Sequence, residues 1–380
     1  MKKEITDELQ FIKEQESNIE IDVYTMSDIK FEVQTSDQTV RAYIQDVIGP
    51  HSQEKELEAQ KNYRIIPIRS SYDVLSRFEQ KEVMESQSSY EYGKLDSDIY
   101  YLSSPLGFTN ITHVTEELTS HYIFSPRPEL GAVSFIRTEL LKSHYDEPSF
   151  LVFHAASMIS EDGSMSVFSG IESIKAYGNR AGKTTALLAA IIKENPKYKF
   201  FSNDEVATII KDGKVEVLPF PNQIPVREGT LKGILNEGVK IPTDFLVDKD
   251  KQSGESIYYT TPGQIKRTGY SVANEKPTSV KNWIFTNLDP QQVGNSIVQI
   301  TNEQSLEMFR TSVFPRRMNQ AKNKGYQGEL YRNYSTGQED YEKADKTHEA
   351  LVEAGTRFFI LSRGVDRASL QSAIESIDLA

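Results

Sequence analysis

The sequence predicts an α/β fold with a mixed sheet and flanking helices, preceded by an α+β domain. Two observations support this fold class. After Pro148, apolar strand-like runs alternate with apolar helix-like runs, which is typical of α/β proteins. Before that point, short strand-like runs such as DIKFEV and NYRIIPIRSS alternate with polar stretches. We therefore predict an N-terminal α+β domain at 1–135, which would position a substrate, and a larger α/β domain at 136–380.

The individual elements follow from local signals. In the N-terminal part, the runs SDIYYLSS, HYIFSP and GAVSFI are also read as strands. Asp212-Gly213, between alternating apolar residues, predicts a tight hairpin. A helix TTALLAAIIKEN ends at Asn195-Pro196, and another, EKADKTHEALVEAG, ends at Gly355. Further predicted elements are the strands FLVFHAAS, SMSVFSG, YKFFS, WIFTN and RFFILSR, a helix near 303–311 and a last helix from Arg367.

Composition excludes several classes of protein. The 380 residues include no cysteine, so disulfides, thiolate zinc sites and cysteine nucleophiles are excluded. The formal net charge of −12 disfavours non-specific binding to nucleic acid or to an anionic membrane. The longest apolar run, Ala186–Ile192, is far shorter than the ~20 residues that span a bilayer. The start of the sequence turns acidic too soon for a signal peptide, so we expect a cytoplasmic protein without membrane contacts.

The strongest chemical signal is a glycine- and lysine-containing loop between an apolar strand and an apolar helix. Glycines let successive backbone N–H groups surround phosphate oxygens, and the helix N-terminus adds the positive end of its dipole. A lysine in such a loop bridges phosphates, and the next hydroxyl coordinates Mg²⁺. The residues concerned are Gly178, Asn179, Arg180, Ala181, Gly182, Lys183, Thr184 and Thr185. The alternative is a glycine-rich turn that merely caps a buried helix.

Two further positions extend this signal. Asn203-Asp204 follows the next apolar strand, where an acidic side chain reaches a metal held at the same edge of a parallel sheet. Asp204 is also a competent base for an attacking hydroxyl, although Asn-Asp after a strand is otherwise an ordinary turn. His154 lies within FLVFHAAS, and its composition alone predicts a core histidine. Arg227 follows LPFPNQIPV, from where it would reach phosphate or substrate unless it is a solvated surface arginine.

The order of these motifs is similar to the catalytic core of the HPr kinase/phosphorylase-like family. The motifs are His154-Ala-Ala, a hairpin, GNRAGKTT, an apolar helix, FFSNDEV, a second hairpin and LPFP. The similarity covers 135–230 and continues weakly to RFFILSRGVDRASLQSAI, whereas residues 1–135 match no family. The family's core resembles that of phosphoenolpyruvate carboxykinase, with an atypical P-loop. The resemblance therefore implies a P-loop-containing core, ATP and Mg²⁺ as cofactors, and a protein or peptide as the phosphate acceptor.

Carried over by position, the resemblance also assigns roles. Gly182, Lys183, Thr184 and Thr185 fall on the family's phosphate and Mg²⁺ contacts. Asp204 falls on the second aspartate of the family's pair, a metal ligand, and His154 on the histidine beside the transferring phosphate. The candidate catalytic residues are thus His154, Lys183 and Asp204; the candidate metal ligands are Thr184 and Asp204; and Arg227 is a further candidate for binding the nucleotide.

Two positions depart from the family pattern. Asn203 replaces the aspartate that serves as general base in the family, so Asp204 or Glu205 would have to take that role. Tyr177 stands where the usual phosphate loop has a glycine, so the loop either is one residue short or begins at Gly170. No counterpart of the family's phosphorylase loop is found, and the reverse reaction is not predicted.

Three functions follow from this sequence. The first is an ATP- and Mg²⁺-dependent kinase that phosphorylates a hydroxyl, a serine, of a small protein or peptide. The second is a nucleotide-binding regulatory or scaffold protein of the same fold, which Asn203 and Tyr177 favour. The third is another P-loop NTPase, which lacks support because no Leu-Ser-Gly-Gly-Gln signature is present. An oligomer is compatible with each of them.

Overall fold

The polypeptide of this computed structural model divides after Tyr145 into two units. The described residues are 7, 9, 19–26, 29–52, 61–70, 74–78, 81–87, 90–104, 108–145, 147–171, 182–192, 197–218, 220–228, 230, 231, 246–249, 256–267, 269–273, 275–289, 292–313 and 338–379. The mixed α/β fold predicted from the sequence is confirmed within these ranges. This division follows the end of the helix Pro128–Tyr145.

The first unit contains one sheet of eight described strands in the order β1-β2-β3-β8-β7-β6-β5-β4. Its strands are β1 (Glu20–Met26), β2 (Ile29–Thr35), β3 (Lys61–Arg69), β4 (Glu82–Gln87), β5 (Tyr90–Asp96), β6 (Ile99–Ser104), β7 (Phe108–Val114) and β8 (Thr119–Ser125). The pairs β2–β3 and β3–β8 are parallel, and the others are antiparallel.

Two helices, α1 (Gln38–Ile48) and α2 (Pro128–Tyr145), contact this sheet and each other. The run GAVSFI, read as a strand from the sequence, lies in α2, so that prediction is wrong. Pro128 in the first turn, followed by Glu129, is a helix-start signal. The amphipathic pattern is weak because α2 is buried on most sides, with Ala132, Phe135 and Ile136 all below 5% exposed.

The second unit contains a mixed sheet of six described strands in the order β12-β10-β11-β18-β20-β19. These strands are β10 (Ala155–Ser160), β11 (Ser164–Gly170), β12 (Tyr198–Ser202), β18 (Ser279–Leu288), β19 (Asn295–Gln299) and β20 (Arg357–Arg363). The pairs β11–β18 and β18–β20 are parallel. Because β10 is antiparallel to both β11 and β12, those two strands also run in the same direction.

The remaining elements of this unit form two small sheets and flanking helices. The small sheets have the orders β14-β13-β9 and β15-β17-β16. Their strands are β9 (Leu151–Phe153), β13 (Val206–Lys211), β14 (Lys214–Leu218), β15 (Ile224–Arg227), β16 (Leu246–Lys249) and β17 (Ser256–Thr260). The helices are α3 (Lys183–Ile191), α4 (Pro262–Arg267), α5 (Asn302–Thr311), α6 (Gln338–Glu353) and α7 (Arg367–Leu379). None of the described helices is both long and apolar enough to cross a membrane.

Apolar clusters cover both faces of the six-stranded sheet. One contains the helices α3 and α7 together with Ile284 and Leu361 of the central strands. The other contains Trp283 and residues of α5 and α6. The Trp283 ring is fully buried, and its Nε1 donates to Ser169 Oγ at 2.9 Å. The helix α3 is therefore held in place by the core along most of its length.

The predicted turns are confirmed where the structure describes them. Asp212 and Gly213 both have positive φ, 50° and 75°, as a two-residue type I′ hairpin between β13 and β14 requires. Gly355 follows α6 with a φ of 82°. The last helix begins at Arg367, as the sequence predicts.

Candidate functional site

The candidate site lies at one edge of the six-stranded sheet, where the parallel strands end. Strands β11, β12, β18 and β20 end at this edge, and the antiparallel strand β10 begins there. In open α/β sheets, ligands bind outside the carboxyl ends of the strands. The chain crosses from β11 through α3 to β12, so the start of α3 lies at this same edge.

Gly182, which caps the N-terminus of helix α3, has a left-handed backbone. Its φ is 84°, and its carbonyl accepts from the Ala186 N–H at 2.9 Å. A Cβ atom at this position would lie 2.6 Å from Cβ and Cδ1 of Leu288, the last residue of β18. Only glycine therefore satisfies both the backbone conformation and the close approach to the neighbouring strand. The N-terminus of a helix is the place where backbone N–H groups and the helix dipole bind phosphate.

Three side chains meet beside this helix start. His154 Nε2 lies 3.0 Å from Lys183 Nζ and 2.9 Å from Asp204 Oδ1. Lys183 is 7% exposed and the His154 side chain 15%, whereas the Asp204 side chain is 43% exposed. One imidazole nitrogen thus faces a cation and an anion, and it bonds to only one of them at a time. The position of its proton decides which partner it binds.

His154 owes its position to a break between two sheets. The sequence predicts one continuous strand, but β9 ends at Phe153 and β10 begins at Ala155, each in a different sheet. The backbone N–H of His154 donates to the carbonyl of Ser312 at 2.8 Å. The histidine is therefore turned towards the sheet edge instead of alternating into the core.

The Asn203-Asp204 pair follows β12. The Thr184 hydroxyl donates to Asn203 Oδ1 at 3.0 Å, and Asn222 Nδ2 donates to the Asn203 carbonyl at 3.5 Å. Asn203 is 1% exposed, and its Nδ2 atom is buried without an acceptor among the described residues. Asp204 has a φ of 69°, a conformation that costs free energy for a non-glycine residue. The strained backbone turns the carboxylate towards His154 while the preceding amide binds Thr184.

The remaining predicted site residues are Thr185, Arg227 and the loop before Gly182. The Thr185 hydroxyl lies 2.8 Å from that of Thr230, shortly after β15. Arg227, the half-buried last residue of β15, is three positions before Thr230 along the chain. The loop residues Gly178, Asn179, Arg180 and Ala181, together with Tyr177, lie outside the described residues.

The side chains present fit a magnesium–triphosphate group. Mg²⁺ is commonly held by one or two carboxylates together with phosphate oxygens and water, and Asp204 and Thr184 supply a carboxylate and a hydroxyl. Lys183 supplies a cation, and the start of α3 supplies the positive end of a helix dipole. The unpartnered Asn203 Nδ2 is a further polar atom beside this group.

Sequence reasoning missed two neighbours of this site. Leu288 contacts Gly182, and Asn222 supports Asn203. Both are ordinary residues in the sequence, and only their position at the sheet edge gives them a role. No model of a known protein family matches the chain, and none of the curated proteins matches it either.

Proposed function

We propose that this protein is an ATP- and Mg²⁺-dependent kinase with a core similar to the HPr kinase/phosphorylase-like family. Its acceptor would be a hydroxyl, a serine, of a small protein or peptide. The observation that carries the proposal is the grouping of Lys183 Nζ, His154 Nε2 and Asp204 Oδ1 within 3.0 Å contacts at the start of α3. Phosphoryl transfer requires mainly positioning and charge neutralisation, and these three side chains supply both.

Each side chain has a distinct role in this reaction. Lys183 offsets the negative charge of the transferring phosphoryl group. The acceptor hydroxyl oxygen forms the new bond to phosphorus, the bond to the ADP oxygen breaks, and the hydroxyl proton passes to Asp204. The partial exposure of the Asp204 carboxylate leaves it open to an acceptor. Bound Mg²⁺, beside Thr184 and Asp204, would add positive charge at the phosphates.

His154 links the cation and the base. When the Lys183 ammonium group binds a phosphate instead of His154, Asp204 is the remaining partner of the two for the His154 Nε2 atom. The Nε2–H then donates to the Asp204 carboxylate. This hydrogen bond fixes the orientation of the carboxylate.

A second candidate function is nucleotide binding without phosphoryl transfer, in a regulatory or scaffold protein. The Asn203 contact favours it, because an amide bonded to the Thr184 hydroxyl replaces the carboxylate that the related kinases use as a base. Asparagine does not accept the hydroxyl proton. The two functions differ only in whether Asp204 acts as the base.

Thermal unfolding with and without Mg-ATP tests the site, and transfer of labelled γ-phosphate tests the reaction. A ligand at 100 times its Kd stabilises the folded state by about 2.7 kcal/mol, which gives a measurable shift in Tm. We expect this shift in the wild type and its loss in Lys183→Ala. Lys281→Ala is the matched control, because Lys281 is a partly exposed lysine of the same unit, near Asp162. It should retain the full shift.

The outcomes separate the two functions. A Tm shift together with labelled phosphate on an acceptor peptide mixture supports the kinase. A shift without transfer to any acceptor supports the scaffold function. Equal shifts in the wild type and in Lys183→Ala would show that the nucleotide binds elsewhere, and both functions would then lose their site.

A further inference from the structure

Backbone strain marks a second position at the same sheet edge. Among the described residues, the non-glycine residues with positive φ are Asp204 (69°), Asp212 (50°) and Arg363 (81°). Asp212 lies in a hairpin turn that requires this conformation. The other two end or follow strands at the edge where α3 begins. Strained residues of this kind are concentrated at functional sites.

Arg363 is the last residue of β20, a central strand of the sheet. It is paired in register with Leu288, whose side chain contacts Gly182. Its carbonyl accepts from the Asp289 N–H at 2.7 Å. The side chain is exposed, and its guanidinium group makes no hydrogen bond or ion pair with any residue that the structure describes. An exposed cation thus lies near the start of α3, and its charge is not used in a contact within the described part of the chain.

The backbone at this point does not require an arginine. Glycine would adopt a φ of 81° without strain, and Gly364 follows directly. The arginine therefore costs folding free energy that a glycine would save. Backbone strain of this kind at a non-glycine residue points to a functional role for its side chain.

Arg363 lies on the side of the candidate site away from the expected position of the transferring phosphate. Lys183 points to His154 and Asp204, which lie beside β10 and β12. The transferring phosphate would be at that side. Arg363, in β20, lies on the opposite side of β11: β20 is two strands from β11 and three from β10, at ~4.8 Å per strand. The rest of the nucleotide would extend towards β18 and β20.

We propose that Arg363 binds the α-phosphate side of the nucleotide, as a charged contact remote from the transferring phosphate. This inference rests on the proposed nucleotide site. Arg363 holds the nucleotide but does not take part in phosphoryl transfer. Its contribution is therefore the same for Mg-ATP and Mg-ADP, whereas the contribution of Lys183 is larger for Mg-ATP.

The test measures Kd for Mg-ATP and Mg-ADP in Arg363→Gly and in the matched control Asp212→Gly. Both substitutions relieve a positive φ, so both should raise the Tm of the ligand-free protein, by about 2–4 °C for each kcal/mol of strain relieved. Arg363→Gly should raise the Kd of both nucleotides about 10- to 100-fold, because a charge-assisted hydrogen bond is lost. Asp212→Gly should leave both Kd values unchanged. Arg363→Lys keeps the strain and a point charge, and it should recover part of the affinity.

Several outcomes would overturn the proposal. Unchanged Kd values in Arg363→Gly, with nucleotide binding in the wild type, would refute the role of Arg363 alone. Loss of Mg-ATP affinity without loss of Mg-ADP affinity would show that Arg363 binds the γ-phosphate and not the α-phosphate side. A wild type that binds neither nucleotide would refute the proposed function, and this inference with it.

Discussion

Replacement of Gly182 by alanine should destabilise the second unit, because two separate penalties act on the new methyl group. The first penalty is the φ of 84°, which a residue with a Cβ atom adopts only at a cost. The second is the distance of 2.6 Å to the Leu288 side chain. Leu288 is 6% exposed and lies in the cluster that packs α3 onto the sheet, so it has little room to move.

The two penalties have different sizes. A left-handed backbone costs about 1–2 kcal/mol for a non-glycine residue. Insertion of a methyl group into a packed core costs about 1–3 kcal/mol. We therefore expect Gly182→Ala to lower the free energy of unfolding by about 2–5 kcal/mol. Gly213→Ala provides the control, because Gly213 has a φ of 75° but a Cβ there would meet nothing within 4 Å. Gly213→Ala should therefore lower the free energy of unfolding only by the cost of the left-handed backbone.

The assay is unfolding in urea followed by tryptophan fluorescence. The chain contains one tryptophan, Trp283, which is fully buried in the core of the second unit. The signal therefore reports the unfolding of this unit alone. Combining Gly182→Ala with Leu288→Gly removes every side-chain atom that the new methyl group would meet, Cβ included, but keeps the backbone strain. The double variant should therefore lose less stability than the sum of the two single variants.

Equal losses in Gly182→Ala and Gly213→Ala would refute this reasoning. They would show that Leu288 moves aside at no cost and that Gly182 is needed only for its φ. Additive losses in the double variant would lead to the same conclusion. In either case the close approach between α3 and β18 would not contribute to stability.

Two further predictions concern single elements. The hydroxyls of Ser160 and Ser164 donate to the Asp162 carboxylate and lower its pKa to about 2. This folded-state pKa lies below the unfolded value of 3.8, so the carboxylate stabilises the fold above about pH 4 and loses this effect as the pH falls towards 2. In urea unfolding, Asp162→Asn should therefore have a lower free energy of unfolding than the wild type at pH 6, and this difference should vanish near pH 2. A difference that does not change with pH would contradict the prediction. Thr301 and Gln304 form a capping box at the start of α5, so Thr301→Ala should lower the unfolding free energy by about 1 kcal/mol, and Thr301→Ser, as the control, by much less.

The parts of the fold that were predictable are those with a local signal. Asp212-Gly213 encodes its hairpin because few other residue pairs adopt positive φ twice in succession. Helix α2 was not predictable in the same way, because a helix buried on most sides loses the 3.6-residue periodicity by which helices are recognised. Its run GAVSFI has the composition of a strand, and tertiary packing determined the outcome.

The candidate site shows a similar division. Lys183 and Asp204 are predicted from motifs and His154 from the family resemblance. Their proximity follows from strand direction, because β12 ends and the antiparallel strand β10 begins at the same edge of the sheet. The contact of Thr184 with Asn203 and the strained backbone of Arg363 were not predictable. They depend on rotamers and on strand register, which single-residue preferences do not encode.

The position of β20 in the sheet has a consequence for the synthesis of the protein. β20 pairs with β18 and β19, so a late part of the sequence fills a central place in the second unit. Gln371 of α7 also donates to the carbonyls of Ala189 and Ile192 at the end of α3. On the ribosome, β11, α3 and β18 emerge long before these partners, and their apolar faces remain without cover in the meantime. The nascent second unit is therefore expected to be most prone to aggregation before translation has passed α7.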